Sequence, residues 1–107
     1  MSLSKVMSES YRLKIKNFCN KINTIMAELY YKEDEYELSY IDNVETLTDA
    51  AIVLRCLSLD GIERVRTNFR ELFDICDGLS AELDEKYGVK CTFYFKNAYT
   101  ITNSKEV

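Results

Sequence analysis

An α+β fold, mostly helical, is what the sequence predicts, and three observations carry that expectation. Between Ile62 and Leu83 the apolar residues Ile62, Val65, Phe69, Leu72, Cys76, Leu79 and Leu83 recur in alternating steps of three and four, the heptad seam of an amphipathic helix. A second seam, Tyr11, Ile15, Phe18, Ile22, Ile25 and Leu29, has the same rhythm near the N-terminus, with Cys19, Met26 and Tyr30 widening it. By contrast, Val89, Cys91, Phe93 and Phe95 alternate with Lys90, Thr92, Tyr94 and Lys96, the two-residue period of a strand. Long heptad-patterned helices packed with a small antiparallel sheet are the expected architecture.

Taken in order, the first helix is expected over 4–31. Residues 1–10 hold only Leu3, Val6 and Met7 as apolar anchors, so its first turns should fray. After the polar turn KEDE, Tyr36, Leu38 and Tyr40 alternate with Glu37, Ser39 and Ile41, which predicts a short strand over 36–41. Asn43 or Thr46 then caps a helix over 44–58, in which Leu47, Ala50, Ala51, Leu54 and Leu57 keep helical spacing. Its run AAIVL is apolar all round and also suits a buried strand. Asp60 and Glu63 resemble a capping box and open the long helix, 61–87, with Gly78 on its polar side and Lys86 and Gly88 as its stop. A strand over 89–96 and its return over 99–102 complete the order α-β-α-α-β-β, leaving a frayed tail over 103–107.

The chain of 107 residues, 47% apolar and 30% charged, is expected to form a single domain over 1–107. Two readings of the heptad seams follow: an intramolecular helix pair that forms the core, or a coiled-coil interface between copies. Both seams are wider than a simple pair requires, which makes a homodimer the expectation. No run approaches the roughly 18 apolar residues of a membrane span, and the start of the chain lacks the apolar core of a signal peptide, so the protein is placed in the cytoplasm.

Chemistry is restricted by what is missing. There is no histidine, which removes the commonest general base, nucleophile activator and metal ligand. Cys19, Cys56, Cys76 and Cys91 lie far apart, without the close pairing of zinc sites or dithiol redox motifs, and read as reduced, buried thiols. Three glycines leave little room for a phosphate cradle, and the carboxylates of the acidic stretch lack the offsets and glycine turn of a calcium loop. The expectation is a protein without catalytic residues, metal or cofactor.

Charge is distributed unevenly. The chain carries a net charge of −4, and residues 31–50 hold one lysine against seven acids, whereas residues 1–30 hold five bases against two. An acidic, tyrosine-rich surface made of Tyr30, Tyr31, Glu33, Asp34, Glu35, Tyr36, Glu37 and Tyr40 is the candidate partner-binding site, because tyrosine beside charge suits a contact that is apolar on one side and wet on the other. By size and charge alone the chain compares with small acidic inhibitors, such as immunity proteins and phage inhibitors of host defence, that cover a basic surface on a larger partner protein. A winged-helix DNA-binding regulator is the alternative, suggested by the element order. Its phosphate contacts would come from Arg64, Arg66 and Arg70 on the long helix and from Lys96 and Asn97 in the final hairpin. Neighbouring Glu63, Glu71 and Asp74 and the acidic total oppose it.

Overall fold

The computed structural model describes residues 2–42, 44, 46–56, 70–85 and 88–104. Along them run β1 (Ser2–Val6), α1 (Glu9–Glu28), β2 (Tyr36–Asp42), β3 (Ala50–Cys56), β4 (Gly78–Asp84), β5 (Gly88–Phe95) and β6 (Thr100–Ser104), with short 3-10 turns at Glu33–Glu35 and Arg70–Leu72. Strands β2, β3, β5 and β4, in that spatial order, form an antiparallel sheet, and β1 pairs with β6 in a second sheet of two strands. One α-helix and two antiparallel sheets among the described residues therefore replace the mostly helical fold that the heptads suggested.

Helix α1 forms where its seam predicts it, although it starts later than residue 4. Ser8 caps it, its Oγ accepting the Tyr11 N–H at 3.2 Å. The seam residues Ile15, Phe18, Ile22 and Ile25 are buried, but against the four-stranded sheet instead of a second helix. Phe18 meets Phe93 and Phe95 edge-on, with ring centroids 5.1 and 5.0 Å apart. No coiled coil forms among the described residues, and the case for a homodimer loses the paired seams on which it rested.

Within the helix expected over 44–58, Ala50–Cys56 form strand β3, the alternative that the AAIVL run left open, while Asn43, Glu45, Leu57 and Ser58 lie outside the described residues. Strand β3 lies between β2 and β5, in register Leu38↔Leu54↔Cys91, so both of its edges are paired. Ile52, Leu54 and Cys56 face α1, while Ala51 and Val53 are buried on the other side. A strand covered on both faces has no polar alternation to show, which is why its apolar run passes for a helix.

Of the long helix expected over 61–87, residues 61–69, 86 and 87 lie outside the described residues, and with them Glu63, Arg64, Arg66 and the Lys86 stop, as does Asp60 of the capping box. From Arg70 onward the helix is absent: a 3-10 turn leads through Phe73–Asp77 into β4, which pairs with β5 from Gly78↔Tyr94 to Asp84↔Gly88. A step of four residues returns a side chain to the same side in a helix and in a strand alike, so Leu79 and Leu83 satisfied both periods. Gly88 does adopt a positive φ, 94°, but at the β4–β5 hairpin and not at a helix end. The strand after Tyr99 pairs with β1, as Ser4↔Thr102, and so does not return along β5. Residues expected to fray at both ends thus form a ladder, and the wing hairpin of the DNA-binding alternative is absent.

On the sheet face away from α1, short side chains (Ser39, Val53, Thr92 and Ser80) form one cross-strand row. Beside it Arg55 bridges the two edge strands, its Nη1 lying 3.5 Å from Glu37 and its Nε 3.0 Å from Asp84.

Candidate functional site

Helix α1 and edge strand β2 run side by side in opposite directions. Near one end the Tyr36 hydroxyl donates to Asn23 Oδ1 at 2.9 Å; near the other, Tyr40 lies beside Arg12, Ile15 and Lys16. Two grooves open along this seam. The one at the helix C-terminus, about 480 Å³, is lined by Asn23, Ala27, Tyr31, Glu33, Tyr36 and Leu38. The one at the helix N-terminus, about 390 Å³, is lined by Met7, Arg12, Ile15, Lys16, Tyr40 and Tyr99.

The corner beside the first groove is set by how α1 ends. Tyr31 N–H donates to Met26 O and Tyr30 N–H to Ala27 O, both at 3.0 Å, the paired bonds of a Schellman cap. Such a cap places one residue in the left-handed region, normally glycine; here it is Tyr30, at φ 65°. The residue is 92% exposed. Tyr31 turns inward onto the core. The chain then makes the 3-10 turn Glu33–Glu35, closed by Lys32 N–H donating to Glu35 Oε1 at 2.9 Å. Glu33 and Asp34 are exposed and have no ion-pair partner among the described residues. Burial, and then the Glu33 charge, push the Tyr36 phenol above its ordinary pKa, so it remains a neutral donor to Asn23.

The acidic, tyrosine-rich set read from the sequence is thus divided. Tyr30, Tyr31, Glu33, Asp34, Glu35 and Tyr36 share the corner. Glu37 points to the opposite face of the sheet, where it pairs with Arg55, because neighbouring residues of a strand alternate. Tyr40 stands at the far end of β2, its hydroxyl hydrogen-bonded to that of Tyr99. Of the residues proposed for DNA, Arg70 is exposed in a 3-10 turn. Lys96 and Asn97 form a tight turn, and their N–H groups are held by Asp77 at 2.7 Å and Asp49 at 3.3 Å. That turn is fastened by carboxylates and offers no basic wing.

The basic end of the seam is not among the residues that the sequence singles out. Its signal is legible in hindsight: between Ser10 and Ala27 the chain carries Arg12, Lys14, Lys16 and Lys21 and no acid. Lys14 lies over the rings of Tyr11 and Phe95, at 4.9 and 5.9 Å. Among the described residues no group of His, Cys, Asp and Glu is arranged to hold a metal ion. Burial raises the Cys19 and Cys76 pKa values and pushes Cys91 up to about 12, which disfavours the thiolate form at these three positions. No helix among the described residues is long and apolar enough to cross a membrane. No family model matches the chain, and no curated protein or solved structure resembles it at a significant level.

Proposed function

We propose that the protein acts by binding a larger protein, as a non-enzymatic inhibitor or adaptor, through the corner that joins α1 to β2. Tyr30 is the observation that supports this most. A non-glycine residue in the left-handed region costs about 1–2 kcal/mol, and the exposed ring recovers almost nothing by packing. The Schellman cap leaves Tyr30 exposed in the segment that leads to Glu33 and Asp34, exposed carboxylates without an ion-pair partner among the described residues, and Tyr31 and Glu33 of the same segment line an open groove. An aromatic anchor rimmed by charge is the usual composition of an energetic centre in a protein interface. The carboxylates favour a basic surface on the partner.

Capture of the partner from the source cells, followed by surface plasmon resonance, tests this. Glu33→Lys with Asp34→Lys should slow association and flatten its dependence on salt, because rim charges act on the encounter. Tyr30→Ala should raise the dissociation rate by at least about tenfold. If both variants bind as the unaltered protein does, the corner is not the contact surface.

A further inference from the structure

The groove at the other end of the seam is separate from this corner. Arg12 and Glu28 are sixteen residues apart on α1, roughly 24 Å, or about three Debye lengths at physiological salt. Arg12 and Lys16 stand one turn apart on the groove wall, and neither has an ion-pair partner among the described residues. The cations on strands behave differently, since Lys5, Arg55 and Lys90 are all paired. The Lys5 ammonium lies 4.3 Å from the centre of the Tyr99 ring and adds positive charge at the same place. Two acids are near: Asp42, 3.4 Å from Lys5, and Glu9, which lies beside Arg12 in the first turn of α1. Lys5 is balanced by Asp42, and the positive charge on the groove wall is that of Arg12 and Lys16.

The rest of the lining is aromatic and apolar. Met7 and Ile15 contribute hydrocarbon, and Tyr40 and Tyr99 contribute rings. Only one of the two phenolic protons is used in the bond between these tyrosines, so the other remains a donor. Burial holds the Tyr40 phenol protonated well above its ordinary range. The groove volume falls within the range of small-molecule sites.

We propose that this groove binds a nucleotide, with its phosphate on Arg12 and Lys16 and its base against the tyrosine rings. The guanidinium fork and the ammonium suit phosphate oxygens, and every base has a face that stacks on an aromatic ring. A free nucleotide and one unit of a single strand present the same groups. A base stacked inside a duplex does not, because it would have to leave the stack to enter the groove.

Titrations of the isotope-labelled protein followed by amide chemical shifts decide the matter, using adenosine monophosphate, a short oligothymidylate and inorganic phosphate as probes. Shifts should be confined to the first turns of α1, the Tyr40 end of β2 and the residues around Tyr99. Arg12→Glu and Lys16→Glu, both changes of exposed side chains, should each weaken binding by at least about tenfold with the circular dichroism spectrum unchanged. Saturation by the mononucleotide identifies a free nucleotide as the ligand, and saturation by the oligonucleotide alone identifies a strand. The proposal is overturned if inorganic phosphate reproduces the mononucleotide shifts at equal concentration. It is equally overturned if neither nucleic-acid probe produces shifts, or if the shifts survive both charge reversals together.

Discussion

Replacing Tyr30 by glycine should make the protein more stable and less able to bind its partner. The left-handed backbone at φ 65° costs a tyrosine about 1–2 kcal/mol and costs glycine nothing. Glycine in turn loses more chain entropy on folding, about 0.5–1 kcal/mol. With 92% of the residue exposed, the lost ring removes almost no buried area, so the net gain should be about 0.5–1 kcal/mol. For a domain near this size that is a rise of roughly 2–6 °C in Tm, measurable by circular dichroism melting. Tyr30→Ala is the control: alanine keeps the backbone penalty and should melt within about 0.5 kcal/mol of the unaltered protein. Both variants should lose partner binding. A fall in Tm for Tyr30→Gly would show that the ring contributes packing, and the claim that its exposure serves contact would fail with it.

Three further outcomes are expected. Phe18→Ala, which empties the space between Phe93 and Phe95, should lower stability by about 3–5 kcal/mol in urea denaturation, close to the whole margin of a small domain. Cys91 keeps its proton in the folded protein up to about pH 12, against an ordinary 9.0, because of burial and the neighbouring Cys56. Its contribution is therefore complete below about pH 9 and declines from there towards pH 12, as the unfolded chain ionises first. Tyr40 acts in the same direction, and Cys91→Ala should make the alkaline loss of stability shallower in denaturation measured across that window. In native-state hydrogen exchange, the amides of β1 and β6, a two-stranded ladder, should open well before those of β3 and β5, which sit inside the larger sheet.

Strands β2 and β5 and helix α1 were legible in the sequence because polar residues recur between the apolar ones along each, which recorded the period, although no residue of β5 is exposed. β3 was not, since its two covered faces erased that record. β4 misled for another reason: Leu72, Cys76, Leu79 and Leu83 keep heptad spacing across a 3-10 turn, a loop and a strand, yet only Leu72 and Cys76 are buried, Leu79 is half-buried and Leu83 is exposed, so the even spacing did not mark one buried face. Partner choice was hidden too, as nothing local tells Thr100–Ser104 to lie on Ser2–Val6 and not on β5. At the candidate site the acidic corner was legible as charge. The left-handed backbone of Tyr30 was not, because a Schellman cap announces itself through glycine and here has none. The basic groove is assembled from α1, β2 and the segment before β6, and proximity of that kind leaves no mark on the one-dimensional chain.

The sheet order also sets a timetable for folding. Hairpins β2–β3 and β4–β5 join strands that are neighbours in the chain, and such units form in roughly 1–10 μs. β3 and β5 are different: Ala50 pairs with Phe95, forty-five residues later, and the closure entropy of that loop has to be met before the contacts reward it. Phe18 needs Phe93 and Phe95 from one hairpin, and its companions in the seam need Ile52 and Leu54 from the other. Most of the stability of an amphipathic helix comes from packing its apolar face, and α1 packs that face on the sheet. The most conspicuous element of the sequence is therefore one that has to wait, gaining a lasting partner only when the two hairpins meet.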